Sequence, residues 1–398
     1  MIDHFPSDRP TSCFAQSKDA QEICEHVNQI NTSDQPIYFP LSRSSYPTPE
    51  ERALDWTIRH HSPNEHSMER VTQRFALASL FFRNEVKNEQ EFAVCRELQN
   101  WTTPDVMEST HECDWFGSAV NCTNGLVKKI RIGLDADWIS GYSSLRCFVG
   151  SLPPNLALLS RLTVLSMNGQ DFRNSTIPES YYSLKSLEEL SLSSSSIAGT
   201  MSPALNKLTK LRHFDVSRNL ISGQIPASLQ LTNIETIRLE RNRLSGNIPA
   251  FDMTFDKVKE LRLEGNSFTG SIPSSIGHMK NLEHLEIQDN SLTGKIPDEF
   301  ASLVNLLVFL AFGNTLDGET NLCSSGRTFV SLVLDCDRVD CPCCTNCCRP
   351  GNVGEPMCVS TVCRLCNSTF LDGCSLLPNN VDVGWQERIT ACSCECRR

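Results

Sequence analysis

The chain has 398 residues, of which 39% are hydrophobic and 21% are charged, and its formal net charge at pH 7 is −11. This acidic balance argues against nucleic acid as a partner, because nucleic-acid-binding surfaces are rich in Lys and Arg. The length would allow two or three ordinary domains. The twenty cysteines are confined to the flanks, six in residues 13–147 and fourteen in residues 323–396.

The chain begins with residues 1–44, which we expect to be disordered. The opening stretch "MIDHFPSDRPTSCFAQSKDA" has no apolar core of the kind that a signal peptide needs. The longest apolar run, "LVNLLVFLAF" at residues 303–312, is too short to span a bilayer. We therefore expect that the chain is truncated upstream, with a signal or membrane span missing, and that the protein is secreted or formerly membrane-anchored; the alternative is entry into the secretory pathway by an unusual signal.

A repeat of 23 to 25 residues fills residues 127–320. An early coil starts at Val127 and is interrupted by an insertion of about eleven residues before "FVGSLPP". Counting this coil, the stretch holds eight coils. The other seven start at Leu162, Leu187, Leu211, Ile234, Val258, Leu282 and Leu306.

Each coil follows the pattern L-x-x-L-x-L-x-x-N-x-L-x-G-x-I-P, as in "ELRLEGNSFTGSIPSSI" at residues 260–276. Alternate apolar residues point to one face of a short strand and the residues between them to the other face. The asparagine amide is expected to bond backbone groups that the turning chain would leave unpaired. The asparagine positions are Asn219, Asn242, Asn266, Asn290 and Asn314.

Other positions in the coil suit turns. The glycines are placed where a sharp turn often needs a positive φ, and the proline of Ile-Pro favours an extended stretch over a long helix. Two early coils depart from the pattern, because Gln170 and Ser195 replace the asparagine and Asn174 replaces a glycine.

These residues resemble the plant-type leucine-rich repeat, whose coils carry L-x-G-x-I-P. The stretch "NWTTPDVMESTHECDWFGSAVNC" resembles the N-terminal cap of that family, with Trp101, Cys113, Trp115, Gly117 and Cys122 in the family's positions. Upstream, "PEERALDWTIRHH" and "TQRFALASLFF" resemble the helical lead-in of diatom leucine-rich-repeat proteins, and "CDRVDCPCCTNCC" resembles their cysteine-rich C-terminal cap.

The resemblance implies an α/β solenoid: a right-handed leucine-rich-repeat superhelix with a parallel concave sheet. It implies a helical lead-in and N-terminal cap over residues 45–126, the solenoid over 127–320, and a cysteine-rich C-terminal cap and tail over 321–398. It also implies a disulfide between Cys113 and Cys122. Each coil of a solenoid contacts only its neighbours, so the apolar ends need such caps.

The cysteine-rich end allows two chemistries. Even cysteine numbers on both flanks favour disulfides in an oxidising compartment. The alternative is a zinc or thiolate cluster in "CPCCTNCC" or "CSCEC". No nearby histidine completes a zinc finger, and adjacent cysteines are awkward around one tetrahedral ion. We therefore predict disulfides, with no metal and no cofactor.

Glycosylation is not established by the sequence, because five N-x-S/T sequons are about what chance gives in a chain of this composition. If the chain is secreted, Asn100 and Asn174 are the strongest candidates to carry sugar. Asn121 adjoins Cys122, whose disulfide would hinder modification.

The chain carries no catalytic motif. It lacks the protein-kinase signature, H-E-x-x-H, the P-loop lysine motif and G-x-S-x-G. His213 and His284 are expected to be surface histidines on strands. We predict a non-enzymatic recognition ectodomain, extracellular or at the cell surface, that binds a protein, peptide or glycan on its concave face. The alternatives are an inhibitor of a secreted hydrolase, like the plant polygalacturonase inhibitors, and a structural cell-wall adhesion protein.

The expected recognition face carries nearly balanced charge. Arg238 and Arg262 fall in the same column of adjacent coils, where they could grip a carboxylate or sulfate. The alternative is a ladder of charges that pair with one another and bind nothing. The candidate binding residues are Arg212, Asp215, Arg218, Arg238, Arg241, Lys259, Arg262 and Glu286.

The last coil replaces charges with apolar residues at its outward positions, namely Leu307, Val308, Leu310 and Phe312. An apolar patch of this kind should not stay bare. We expect the cysteine-rich tail to fold over it, and the alternative is a site for a co-receptor.

Overall fold

The computed structural model of the protein describes residues 49–60, 67–83, 107, 110–133, 147–229, 231–251, 255–322, 329–335, 338–341, 344–349 and 357–360. The predictions for residues 1–44, Asn100, Trp101 and most of the cysteine-rich tail lie outside these ranges. The chain divides into two compact units, residues 1–220 and residues 221–398.

The first unit begins with two helices, α1 (Pro49–Arg59) and α2 (Met68–Phe82). Ser67 caps α2, because its side-chain oxygen accepts a hydrogen bond from the backbone N–H of Arg70. Almost every residue of α2 is buried, and Asn155 of the first coil donates from Nδ2 to Ser79 Oγ at 2.9 Å. The lead-in thus packs against the start of the repeats.

The cap of the first unit centres on Glu112, whose side chain is fully buried. Its carboxylate accepts two hydrogen bonds of 2.9 Å from Arg70 and one of 3.0 Å from Gln73 Nε2. The Arg74 guanidinium lies 3.4 Å from Glu112 Oε2 and within 5.3 Å of the ring centroids of Trp56 and Trp115. These contacts tie α2 to the cap.

Burial desolvates the Glu112 carboxylate and alone would raise its pKa, but the hydrogen bonds from Arg70, a backbone hydrogen bond and the charges of His111 and Arg70 together hold the pKa below its usual value. Next to Glu112 in sequence, Cys113 forms a disulfide with Cys122. The disulfide joins the cap's first 310 turn to the strand that follows.

A parallel sheet continues from this cap. β1 (Val120–Thr123) pairs antiparallel with β2 (Leu126–Ile132), and β2 starts a parallel series in which each strand pairs with the next. The alternating apolar residues point inward as predicted, so Leu190 and Phe214 are buried at the centres of their strands. The later strands of this unit are β3 (Val164–Met167), β4 (Glu189–Ser191) and β5 (His213–Asp215).

The second unit carries two parallel sheets. The first sheet contains β7 (Thr236–Arg238), β9 (Glu260–Arg262), β11 (His284–Glu286), β13 (Val308–Leu310), β16 (Ser331–Asp335) and β18 (Asn346–Arg349), followed by antiparallel β19 (Met357–Ser360). The second sheet contains β6 (Ser222–Gly223), β8 (Arg243–Asn247), β10 (Ser267–Ser271), β12 (Ser291–Gly294) and β14 (Thr315–Leu316). A short parallel pair joins β15 (Gly318–Glu319) and β17 (Val339–Asp340).

The first sheet continues beyond the eight coils that the sequence predicts. β16 pairs in parallel with β13, and β18 pairs in parallel with β16. The stretch "SLVLD" is buried on both faces of the strand, from Leu332 to Asp335. The parallel strands therefore reach into residues 321–398, where the sequence predicts a cap.

In five of the described coils, a short 310 helix begins at the proline or directly after it. Proline fixes φ near −65°, which starts such a turn and prevents a long helix. The glycine before Ile-Pro adopts a positive φ as expected, and at Gly270 a Cβ would lie 2.5 Å from Asn247 Oδ1. The 310 helices are Glu112–Asp114 and Gly117–Ala119 in the cap, and Pro154–Leu158, Glu179–Ser183, Pro203–Lys207, Ser274–His278 and Asp298–Ser302 in the coils.

Asparagine side chains connect successive coils. Asn266 Oδ1 accepts from the backbone N–H of Leu244 at 3.0 Å, and Nδ2 donates to the carbonyls of Leu239, Leu263 and Glu264. Asn290 repeats this pattern one coil later. The amide thus satisfies backbone groups on two coils at once.

Two other side chains hold the asparagine position where the pattern departs. Gln170 Oε1 accepts from the backbone N–H of Phe148, and Ser195 Oγ donates to the carbonyl of Met167. Asp335 of β16, which is in register with Phe312 rather than with Asn314, accepts from the backbone N–H groups of Gly313 and Asn314, each at 3.2 Å. Asn174, which replaces a glycine, has a φ of 60° and is exposed.

The apolar outward positions of β13 are buried. Val308, Leu310 and Phe312 are at most 8% exposed and form one cluster with Val333 of β16, whereas Leu307 is 41% exposed. Coverage of this cluster by the cysteine-rich tail stays a prediction. Cys341 and Cys344 form a disulfide.

Candidate functional site

The candidate site is the outward face of β7, β9 and β11 in the second unit, which we call the charged face. Its residues alternate with the buried Ile237, Leu261 and Leu285, so their side chains point away from the core. Backbone hydrogen bonds beyond the strand ends, from Leu239 to Arg262 and from Gly265 to Gln288, keep the three coils in register. The charged face consists of Thr236, Arg238, Glu240, Glu260, Arg262, Glu264, His284, Glu286 and Gln288.

Arg238 and Arg262 are partners in the register of β7 and β9. Arg238 donates from Nε and Nη2 to the two carboxylate oxygens of Glu260, both at 3.1 Å. Arg262 also donates from Nε to Glu260, and its Nη1 lies 3.4 Å from Glu286 Oε1. The carboxylates thus neutralise the two stacked guanidinium groups.

The pKa shifts reflect this network. Burial would raise the pKa of Glu260, but the hydrogen bond from Arg238 and the charge of Arg262 hold it below its usual value. Burial would lower the pKa of Arg262, but Glu286 and Glu260 raise it. Each charge is therefore stabilised by its opposite partners.

Acceptor groups form a second column along one edge of the charged face. Glu240, Glu264 and Gln288 hold equivalent positions on three successive coils, and Gln288 Nε2 donates to Glu286 Oε2 at 3.3 Å. Burial, followed by the negative charges of Glu240 and Glu286, raises the pKa of Glu264 to about 8. We call Glu240, Glu264, Glu286 and Gln288 the acceptor cluster.

The structure brings together only part of the predicted binding set. Arg238, Arg262 and Glu286 share the network described above, while Lys259 precedes β9 and its Nζ lies 3.6 Å from Glu235. Arg241 lies beyond the C-terminal end of β7, and its backbone φ of 54° is in the left-handed region. The other three predicted residues, Arg212, Asp215 and Arg218, belong to the first unit.

The prediction missed Gln288 and gave no binding role to Glu240, Glu260 or Glu264. Their sequence signal is the coil period, because Glu240, Glu264 and Gln288 are spaced by 24 residues. Alternation alone places them outward on the sheet. It does not show which oxygens lack a hydrogen-bond partner.

In the described ranges, no group of three or more His, Cys, Asp or Glu side chains is arranged to hold a metal ion. Within the same ranges, none of the helices combines the length and apolar character needed to cross a bilayer.

The repeat geometry defines the coils as leucine-rich repeats. A family model described as "Leucine rich repeat" matches residues 256–316, and a second one, "Leucine Rich Repeat", matches residues 210–231. The parallel sheet and the coil period agree with this class.

The curated relatives are plant proteins, and each matches over a short stretch. Receptor-like protein 41 of Arabidopsis thaliana is 37% identical over 81 residues, which is 20% of this chain and 9% of that protein. Receptor-like protein EIX1 of Solanum lycopersicum is 33% identical over 111 residues, 27% of this chain and 11% of that protein. The chain thus spans about a tenth of the length of these relatives.

Similar solved structures include leucine-rich-repeat ectodomains of plant receptors. One is that of the membrane receptor kinase GASSHO1/SCHENGEN3 from Arabidopsis thaliana in complex with CASPARIAN STRIP INTEGRITY FACTOR 2. It is 26% identical, with a TM-score of 0.48, and the match covers 58% of this chain and 27% of that one. Another is the Arabidopsis receptor kinase HAESA ectodomain in complex with an IDA peptide hormone ligand. It is 26% identical, with a TM-score of 0.46, and the match covers 58% of this chain and 38% of that one.

Proposed function

We propose that this chain is a non-enzymatic recognition module that binds a peptide or protein segment on the charged face. The observation that carries the proposal is the ion-pair network of Arg238, Glu260 and Arg262, which fixes charged side chains across neighbouring strands. Side chains that are already ordered lose less conformational entropy on binding. The face is therefore preorganised for a ligand with complementary charge.

The location proposed for the module is the cell surface or the extracellular space. The plant relatives are named receptor-like proteins, and disulfides such as Cys113–Cys122 suit an oxidising compartment. The likeness of the lead-in to diatom proteins, sugar on Asn174 and a co-receptor contact at the last coil are further proposals. Inhibition of a secreted hydrolase and cell-wall adhesion remain the alternative functions.

A matched pair of threonine variants tests the location of the binding surface. Thr236→Trp places a bulky ring on the charged face, whereas Thr269→Trp places the same ring on exposed β10 of the second sheet. Binding of randomised fluorescent octapeptide pools to the purified chain is measured by anisotropy, and folding is checked by thermal melting. We expect Thr236→Trp to weaken binding at least tenfold and Thr269→Trp to leave it unchanged.

The opposite pattern, with Thr269→Trp alone weakening binding, would move the recognition surface to the second sheet. If no pool binds the wild-type chain, peptide recognition is wrong. The hydrolase-inhibitor alternative would then be tested by assaying secreted pectin-degrading enzymes with and without the chain.

A further inference from the structure

We propose that the acceptor cluster binds a positively charged group, the guanidinium or ammonium of a basic residue in the ligand. This inference rests on the proposed function, because it names the chemistry by which the charged face would anchor a peptide. Three acidic side chains and one amide supply the site, all within the second unit.

The backbone places these groups side by side. Neighbouring parallel strands lie about 4.8 Å apart, so equivalent positions on successive coils stack at that spacing. Glu240, Glu264 and Gln288 are such positions, and Glu286 lies two residues before Gln288 on the same face. A single cationic group can therefore reach oxygens from more than one coil.

Unpaired oxygen atoms indicate which kind of ligand the acceptor cluster would bind. Glu264 Oε2, Glu286 Oε1 and Gln288 Oε1 are buried and accept no hydrogen bond from any described residue. Glu286 and Gln288 are only 5% and 6% exposed, and the 3.4 Å contact of Glu286 Oε1 with Arg262 is an ion pair without hydrogen-bond alignment. Buried acceptors without donors are unfavourable, and a guanidinium or ammonium brings several donors at once.

Charge favours the same occupant. Arg238 donates to Glu260 from Nε and Nη2, and Arg262 donates to it from Nε, so this one carboxylate already opposes both guanidinium charges. The pKa of Glu264 is raised by burial and by Glu240 and Glu286, with Arg262 as the nearby opposing cation. An incoming cation would relieve this crowding of negative charge, whereas an anion would increase it. The expectation that the arginine pair grips an anion is therefore replaced by a site for a cation.

Citrulline provides a matched probe, because it has nearly the shape of arginine without the charge. Fluorescent octapeptide pools with a fixed central arginine or a fixed central citrulline are titrated against the full chain, and anisotropy gives the affinities. We expect the arginine pool to bind about tenfold more tightly, as a charge-assisted contact would give. At pH 9, where Glu264 is ionised, Glu264→Gln should remove most of this preference, while Glu299→Gln, an exposed site on the 310 helix Asp298–Ser302, should keep it.

A second variant tests the same site if Glu264→Gln does not fold. Gln288→Met removes the unpaired amide oxygen with little change in size but also removes the hydrogen bond from Gln288 Nε2 to Glu286, so thermal melting establishes that the variant is folded and the arginine preference should fall. Equal binding of the arginine and citrulline pools would overturn the cation site and leave the proposed peptide recognition standing. Binding of neither pool would overturn both.

Discussion

Arg238 and Arg262 lie opposite each other on neighbouring parallel strands, and one carboxylate, that of Glu260, holds both guanidinium groups. Two stacked cations would repel each other without such a partner. The arrangement explains how the charged face tolerates an arginine pair in one column. It also leaves Glu264 Oε2, Glu286 Oε1 and Gln288 Oε1 without a hydrogen bond from the described residues.

The shared role of Glu260 predicts that Glu260→Gln destabilises the second unit. The change removes the charge that opposes both arginines, and we expect a loss of about 1–2 kcal/mol in unfolding free energy at low salt, reduced at high salt because both arginines are partly exposed. Urea denaturation at two salt concentrations measures it. A loss that is the same at both concentrations, or one matched by Glu299→Gln, would contradict the network.

The asparagine side chains are predicted to stabilise the coils. Asn266→Ala would leave one backbone N–H and up to three carbonyls without the amide, so we expect a loss of about 1–3 kcal/mol. Ser267→Ala changes an exposed neighbour and should be nearly silent. Thermal melting of the two variants compares them directly. Similar shifts for both would show that the amide hydrogen bonds contribute little to stability.

The buried carboxylate of Glu112 predicts a pH-dependent stability of the first unit. Its pKa is lowered in the folded state, so its contribution is present above the ordinary carboxyl pKa and is lost as the pH falls through the folded pKa. At pH 7, Glu112→Gln should cost about 3–5 kcal/mol, because Arg70 and Arg74 lose their buried partner. Tryptophan fluorescence follows unfolding in urea, since Trp56 and Trp115 flank Arg74.

The difference between wild type and Glu112→Gln should shrink in acid. Glu69→Gln serves as the control, because Glu69 forms only an exposed ion pair with Arg161. A destabilisation by Glu112→Gln that stays constant from pH 7 down to pH 2 would be inconsistent with an ionised Glu112.

The raised pKa of Glu264 predicts that the stability of the second unit depends on pH in the opposite direction. Its folded pKa of about 8 lies above the ordinary carboxyl value of 4.5, so its contribution to stability is present below pH 4.5 and is lost as the pH rises through 8. Glu264→Gln should therefore melt close to wild type at pH 4.5 and above wild type at pH 9. Melting curves at the two pH values test this. A variant less stable than wild type at pH 9 would show that the Glu264 carboxylate is well stabilised.

The sequence predicted the coils and their register because the spacing of the repeat determines both. Leucine alternation places Arg238 and Arg262 outward, and the 24-residue step puts them in one column. The second sheet was not predicted, since its strands are short and carry mostly Ser, Thr and Gly at β10 and β12. Their pairing depends on the stacking of coils, which a single coil does not reveal.

Contacts between distant residues also escaped prediction. Glu112 meets Arg70 and Arg74 across about 40 residues of chain, and no local pattern links them. The strand β16 lies in residues 321–398, which the sequence analysis assigns to the cap, although β16 pairs in parallel with β13. Which carboxylate bonds which arginine depends on side-chain conformations that periodicity leaves open.

The location of the bound ligand tests the account most directly. An octapeptide selected from the arginine pool is synthesised with a photoreactive benzoylphenylalanine beside the arginine and is crosslinked to the full chain. Mass spectrometry then identifies the crosslinked residues. The account predicts crosslinks on the charged face, at residues 236–240, 260–264 and 284–288. Crosslinks confined to the second sheet, at residues 243–247, 267–271 and 291–294, would contradict it.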